Sequence, residues 1–222
     1  KRVLNKILTM KSSKSSKEKE ITIETKENKL EGLLMQGRGT GGVVITHPHP
    51  LYGGNMFNNV VIDICEAFYS IGYTTLRFNF RGVGKSTGKF DGKLEENDFV
   101  NAHHSLSEFL GRRPMIVSAG YSYGAYIIYN AMARINKPSR VLLVSPPLDA
   151  MDFDYNEHKH CSQREHEFYV IVGDGDAFCS VPRAEHFAKK TGCELKILKN
   201  VDHYFRGQSR RLISEIQKCF QI

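Results

Sequence analysis

Met115-Ile116-Val117-Ser118-Ala119-Gly120-Tyr121-Ser122-Tyr123-Gly124 is the stretch on which the reading of this chain turns. Met115–Ala119 is an apolar run of strand length, and Tyr123–Ile135 after it has helical spacing. Between them stands a G-x-S-x-G pentad. Its two glycines permit a sharp strand-to-helix turn that lifts Ser122 out of a sheet, and the helix N-terminus behind it favours developing negative charge. A serine hydroxyl is a poor nucleophile unless a base is held beside it. The strand before and helix after the pentad therefore carry more weight than the five letters.

Working outward, β-rich runs alternate with amphipathic helical stretches. Ile21–Thr25 and Leu30–Gln36 read as an edge hairpin around Glu27-Asn28-Lys29, and Gly42–Thr46 as a buried strand. Asn58–Ile71 spaces Val61, Ile64, Cys65 and Phe68 as a helix does, stopping at Gly72. Tyr73–Phe80 is a strand, Leu94–Leu110 a helix, and Val141–Ser145 a strand ended by Pro146-Pro147. Phe168–Val172 and Glu194–Leu198 are the last strands, with helices at Arg183–Lys190 and Ser209–Phe220. The expected architecture is a three-layer α/β fold, a mostly parallel sheet of about eight strands with helices on both faces. Ser145–Phe168 is polar and too short for a separate lid domain, so an open site is expected.

A base and an acid are expected after Ser122 in the order Ser, Asp, His, each beyond a later strand. Asp176 follows Phe168–Val172 in Gly173-Asp174-Gly175-Asp176, and His203 follows Glu194–Leu198 in Asn200-Val201-Asp202-His203. Asp174 and Asp202 compete for the acid's place, and Asp176 is favoured because it lies further from its strand end. Of the other histidines, His103 and His104 on a predicted helix and His158, His160 and His166 in a polar loop are expected to be solvated. A tetrahedral oxyanion needs two N–H donors. Tyr123 supplies one, and the second falls to the loop His47-Pro48-His49-Pro50-Leu51-Tyr52-Gly53-Gly54. Because proline has no N–H, that donor is His49 or a residue beyond Pro50, and His49 is preferred. Tyr52, Tyr121 and Tyr123 suggest a shallow, partly aromatic groove, with ordinary turn packing as the alternative reading.

Two competing sites are weak. His47 and His49 alternate with prolines and have no nearby acid, a poor pattern for a metal pair. Gly82-Val83-Gly84-Lys85-Ser86 looks like a phosphate loop, but Asn79 stands where that motif requires glycine. No metal and no cofactor is expected.

Taken together, His47-Pro48-His49-Pro50 with Gly53-Gly54-Asn55-Met56, Leu76-Arg77-Phe78-Asn79-Phe80-Arg81-Gly82-Val83-Gly84 with Ser86 and Gly88, the serine pentad, Ser145-Pro146-Pro147 and Asp202-His203 resemble one subgroup of the α/β-hydrolase superfamily. It comprises the small lidless hydrolases grouped with dienelactone-hydrolase-like proteins and serine esterases. The resemblance spans about residues 43 to 207. It implies a Ser122, Asp176 and His203 triad, with oxyanion donors at Tyr123 and in the His47–His49 loop. The implied activity is hydrolysis of a small ester or thioester through an acyl-enzyme. The chain departs from the pattern after Phe90-Asp91-Gly92, where the loop is shortened before Glu95 and Asp98. It departs again at Ala177-Phe178-Cys179-Ser180, which lengthens the step from Asp176 to Val181-Pro182 and bears on the acid's orientation. The alternative function is a hydrolase fold kept as a non-catalytic interaction or assembly subunit.

Composition narrows the partners. The chain has 41% hydrophobic and 25% charged residues and no long uncharged apolar run, so no membrane span is expected. Of its net charge of +7, all but one unit is accounted for by Lys1, Arg2, Lys6, Lys11, Lys14 and Lys17, with no acid among residues 1–17. The folded body is thus nearly neutral, which argues against nucleic acid. Residues 1–20 read as a basic Lys/Ser-rich tail, disordered or docked on a protein partner, and 21–222 as one hydrolase domain. Val3, Leu4, Ile7 and Leu8 share a helical face that loosely fits a transit peptide, so a mitochondrial or other organelle address stands as the alternative to the cytoplasm. The chain opens at Lys1 rather than Met, which leaves processing, trimming or an internal start at Met10 as readings. Five cysteines without a C-x-x-C pair fit a reducing compartment. No activating arrangement surrounds Cys179.

Overall fold

The computed structural model describes residues 18–111, 114–135, 139–154 and 166–220. Its strands are β1 (Glu18–Glu24), β2 (Lys29–Met35), β3 (Gly42–Thr46), β4 (Thr74–Phe78), β5 (Ile116–Tyr121), β6 (Ser139–Val144), β7 (His166–Gly175) and β8 (Glu194–Asp202). Its helices are α1 (Asn59–Ser70), α2 (Glu95–Leu110), α3 (Tyr123–Ala131), α4 (Val181–Thr191) and α5 (Ser209–Phe220).

The strands form one sheet in the order β1-β2-β4-β3-β5-β6-β7-β8. The β1–β2 and β2–β4 pairs are antiparallel and all the rest parallel. Period-two alternation sorts the central strands into two cores. Val43, Ile45, Val117, Ala119, Leu142 and Val144 pack with α1 and α5. Their neighbours Val44, Ile116, Val141 and Leu143 pack with α2, α3 and α4 on the other face. This is the three-layer α/β architecture expected, because strands covered on both faces read as near-continuous apolar runs. Each helix fills its layer with one stripe; in α1 it is Val60, Val61, Ile64 and Phe68, started by the Asn58 side chain accepting from the Val60 N–H at 2.9 Å.

Several boundaries move. β1 begins at Glu18, so residues 18–20, read as tail, belong to the sheet, where Glu18 pairs with the buried Arg77 guanidinium at 2.7 Å. Residues 1–17, with every expectation placed on them, lie outside the described residues, as do His158 and His160. α3 ends at Ala131 in a 3-10 turn, Met132–Arg134, short of the predicted Ile135. β8 runs to Asp202 rather than Leu198, its outer half rejoining β7 across a bulge where Gly175 faces Asp202. As an edge strand it needs no continuous apolar run, so its polar half was not visible as strand. No helix among the described residues is long and apolar enough to cross a membrane.

Candidate active site

Ser122 sits between β5 and α3 with φ 53° and ψ −121°, a backbone conformation unfavourable for a residue with a Cβ. Its neighbours allow it. A Cβ on Gly120 would lie 2.7 Å from Ala125 N and from Gly124 backbone, and one on Gly124 would lie 2.6 Å from Thr46 Oγ1 and 2.8 Å from the His47 carbonyl oxygen. Both glycines of the pentad are therefore required by close approach, the first of α3 to β5 and the second of α3 to the end of β3. The Ser122 N–H donates to the Val144 carbonyl at 2.9 Å, tying the turn to β6.

Two other strand ends converge on the hydroxyl. His203 directly follows β8, and its Nε2 lies 3.0 Å from Ser122 Oγ. Asp176 directly follows β7, and both its carboxylate oxygens lie 2.9 Å from His203 Nδ1. The carboxylate fixes the neutral tautomer with hydrogen on Nδ1, leaving Nε2 to accept from serine. Asp176 also accepts from the Phe178 N–H at 2.8 Å and the Cys179 N–H at 3.0 Å. The longer Ala177–Ser180 step is thus a turn wrapped around the carboxylate, and it orients the acid. Tyr121 O–H donates to the His203 carbonyl at 2.9 Å, holding the histidine from beneath.

The rival acids bond elsewhere. Asp174 accepts from the Asn200 N–H at 2.7 Å, and Asp202 from the Tyr204 N–H at 3.0 Å. His103 corrects an expectation: it is buried in α2, not solvated. Tyr121 and Tyr123 are likewise buried and do not line a groove, whereas Tyr52 is exposed. Tyr123 turns inward, its O–H donating to the buried Glu95 carboxylate at 3.3 Å. Burial holds the Glu95 carboxyl above its ordinary pKa. Cys179 is buried, and burial pushes its thiol far above the range in which a thiolate forms. Asn79, which breaks the phosphate-loop pattern, accepts from the Met56 N–H and donates to Glu31, both at 2.8 Å.

As the first residue of α3, Tyr123 has an N–H with no carbonyl partner inside its helix. In the facing loop the N–H groups of Leu51, Tyr52, Gly53 and Gly54 all donate to His49 or Pro50. His49, the donor expected from this loop, packs its ring on Tyr123 with centroids 4.6 Å apart.

Sequence reasoning missed the part played by His47. Its buried ring bridges two backbone segments: Nδ1 donates to the Pro48 carbonyl at 2.7 Å, and Nε2 accepts from the Phe80 N–H at 3.0 Å. Both nitrogens are thereby committed to the neutral ring, and the loop after β3 is fastened to the end of β4. Only contact between distant segments reveals this. Burial lowers the His47 pKa from 6.5 to about 4, partly offset by the bond to Pro48. When unfolded, the same ring takes up a proton near pH 6.5. The depressed folded value means that the stability from the neutral ring is complete above pH 6.5 and drains away as pH falls toward 4. The shift corresponds to roughly 3 kcal/mol over that window. Urea unfolding from pH 7 to 4 should therefore show a steeper loss in the wild type than in His47→Gln, and equal slopes would count against this assignment.

A doubly wound sheet with a serine turn at the end of its fifth strand, and with acid and imidazole at the ends of the seventh and eighth, defines a class: the chain belongs to the α/β-hydrolase superfamily. It also shares a family with an uncharacterized protein of Rickettsia prowazekii (strain Madrid E), to which it is 31% identical over 203 residues, 86% of this chain and 83% of that protein. An α/β serine hydrolase homologue from Coxiella burnetii has the same fold with a TM-score of 0.82 at 26% identity, over 96% of this chain and 100% of that one. A lidless α/β serine hydrolase from Xanthomonas campestris matches with a TM-score of 0.79 at 22% identity, over 94% and 95% of the two chains. No family model matches the chain.

Proposed function

We propose that the protein is a serine hydrolase that cleaves small esters or thioesters through an acyl-enzyme. The observation that carries this reading is the continuous line Ser122 Oγ, His203 Nε2, His203 Nδ1 and Asp176, with links of 3.0 and 2.9 Å. In acylation, His203 takes the Ser122 proton as Oγ attacks the carbonyl carbon, while Asp176 stabilises the imidazolium. The Tyr123 and His49 N–H groups receive the oxyanion. Collapse expels the alcohol or thiol, protonated from Nε2, and water then repeats the sequence on the acyl-enzyme. The strained backbone at Ser122 supports the reading, since such conformations persist where the surroundings over-determine them and cluster at reactive sites.

A fluorophosphonate probe tests it. The wild type should be labelled covalently and Ser122→Ala should not be. Equal labelling of the two proteins would remove Ser122 from the nucleophile's place.

A further inference from the structure

Six of the nine exposed large hydrophobic side chains among the described residues lie on connections that leave the carboxyl ends of strands, the edge that carries Ser122. Apolar surface left in water on one edge is a cost that a ligand can relieve. Two of the six are set apart by what they touch. The Phe178 and Tyr204 rings both lie against the His203 imidazole, with centroids 4.8 and 5.5 Å from it, yet they remain 41% and 47% exposed.

Neither ring hangs on a loose loop. Phe178 is held by its N–H on Asp176 at 2.8 Å and by its carbonyl, which accepts from the Asp149 N–H at 3.0 Å. Tyr204 is held by its N–H on Asp202 at 3.0 Å and by its carbonyl, which accepts from Asn59 Nδ2 at 3.1 Å. The Arg206 guanidinium lies 4.7 Å from the Tyr204 ring centroid. Two partly exposed aromatic surfaces are thus fixed on the acid-base side of the site before any ligand arrives, so little ordering remains to be done on binding.

The chemistry says which part of a substrate meets them. Acylation forms the bond from Ser122 Oγ to the carbonyl carbon and moves the Oγ proton to Nε2. Breakdown of the tetrahedral species cleaves the bond from that carbon to the leaving oxygen or sulfur, which takes the same proton from Nε2. The leaving atom must therefore come within hydrogen-bond reach of Nε2, while the acyl group stays on Oγ. Whatever is attached to the leaving atom passes beside the rings that flank the imidazole.

We propose that Phe178 and Tyr204 form the leaving-group subsite, and that the substrate carries an aromatic or similarly flat apolar group on its alcohol or thiol side. This rests on the hydrolase reading above. Aromatic contacts of this kind favour offset or edge-on packing and discriminate against small alkyl groups.

Benzyl acetate and ethyl acetate yield the same acetyl-enzyme and differ only in the alcohol, so the ratio of their kcat/KM values isolates this subsite from every step the two share. In the wild type the ratio should favour benzyl acetate. It should fall about tenfold in Phe178→Ala and in Tyr204→Ala, and recover in part in Phe178→Leu. Lengthening the acyl chain, with benzyl hexanoate against ethyl hexanoate, should give the same fall. A ratio unchanged by both alanine substitutions, whatever happens to the absolute rates, overturns the subsite and leaves the hydrolase intact. A wild type that neither takes the fluorophosphonate nor cleaves either ester sinks the hydrolase reading, and the subsite with it.

Discussion

Replacing His203 by alanine should lower kcat for a simple ester by about a millionfold while the protein stays folded. Residues that act as one unit are not additive, and loss of the base alone in such a system costs about as much as loss of the whole set. The structure gives the reason. The His203 imidazole lies 3.0 Å from Ser122 Oγ and 2.9 Å from Asp176, so in the proposed mechanism it is the base and Asp176 stabilises the imidazolium that develops. Folding should survive because the buried Asp176 carboxylate keeps its bonds from the Phe178 and Cys179 N–H groups when the ring is gone. Ester hydrolysis under saturating substrate, read beside near-ultraviolet circular dichroism, measures both halves. A fall of less than about a hundredfold in a folded variant would mean that another group takes the proton.

The second large effect falls on stability. Asp98 is fully buried in α2 and accepts from Arg81 at its backbone N–H (2.9 Å), Nε (3.1 Å) and Nη2 (2.7 Å), and from Asn28 Nδ2 at 3.3 Å. These bonds tie the β1–β2 turn, the segment after β4 and the second helix into one knot. Asp98→Ala leaves the buried Arg81 guanidinium with the more distant and largely solvated Glu27 carboxylate, 3.4 Å away, as its ion-pair partner. Breaking such a pair from one side costs about 3–5 kcal/mol, because the remaining charge stays buried. For a domain of this size that is a fall of roughly 10 °C in melting temperature. Arg81 is one residue from Phe80, whose N–H holds His47, so activity should weaken before the global transition. A melting temperature within about 2 °C of wild type would show that the knot relaxes without cost.

The sheet could be read along the chain because a strand covered on both faces writes itself as an unbroken apolar run. Gly42–Thr46 matches β3 to the residue, and Ser209–Phe220 matches α5 through its single apolar stripe. Where burial is one-sided the signal thins. The outer half of β8 is polar and carries no strand signal, although it is this half that delivers His203. Tyr121 and Tyr123 read along the chain either as groove lining or as turn packing, because a tyrosine can end in water or on a buried partner. Here their hydroxyls end on the His203 carbonyl and on Glu95.

By its own order the sequence determined the architecture and the candidates: a serine between two glycines after an apolar strand, then an acid and a histidine each beyond a later strand. Spacing along one chain encodes that much, since periodicity and turn chemistry are local. Only the tertiary structure decided which aspartate faces the imidazole, that His47 is a neutral strut, and that Arg81 and Asp98 are buried together. The physical reason is distance: the decisive contacts join residues between 17 and 81 positions apart, and no local pattern records a bond made across a sheet.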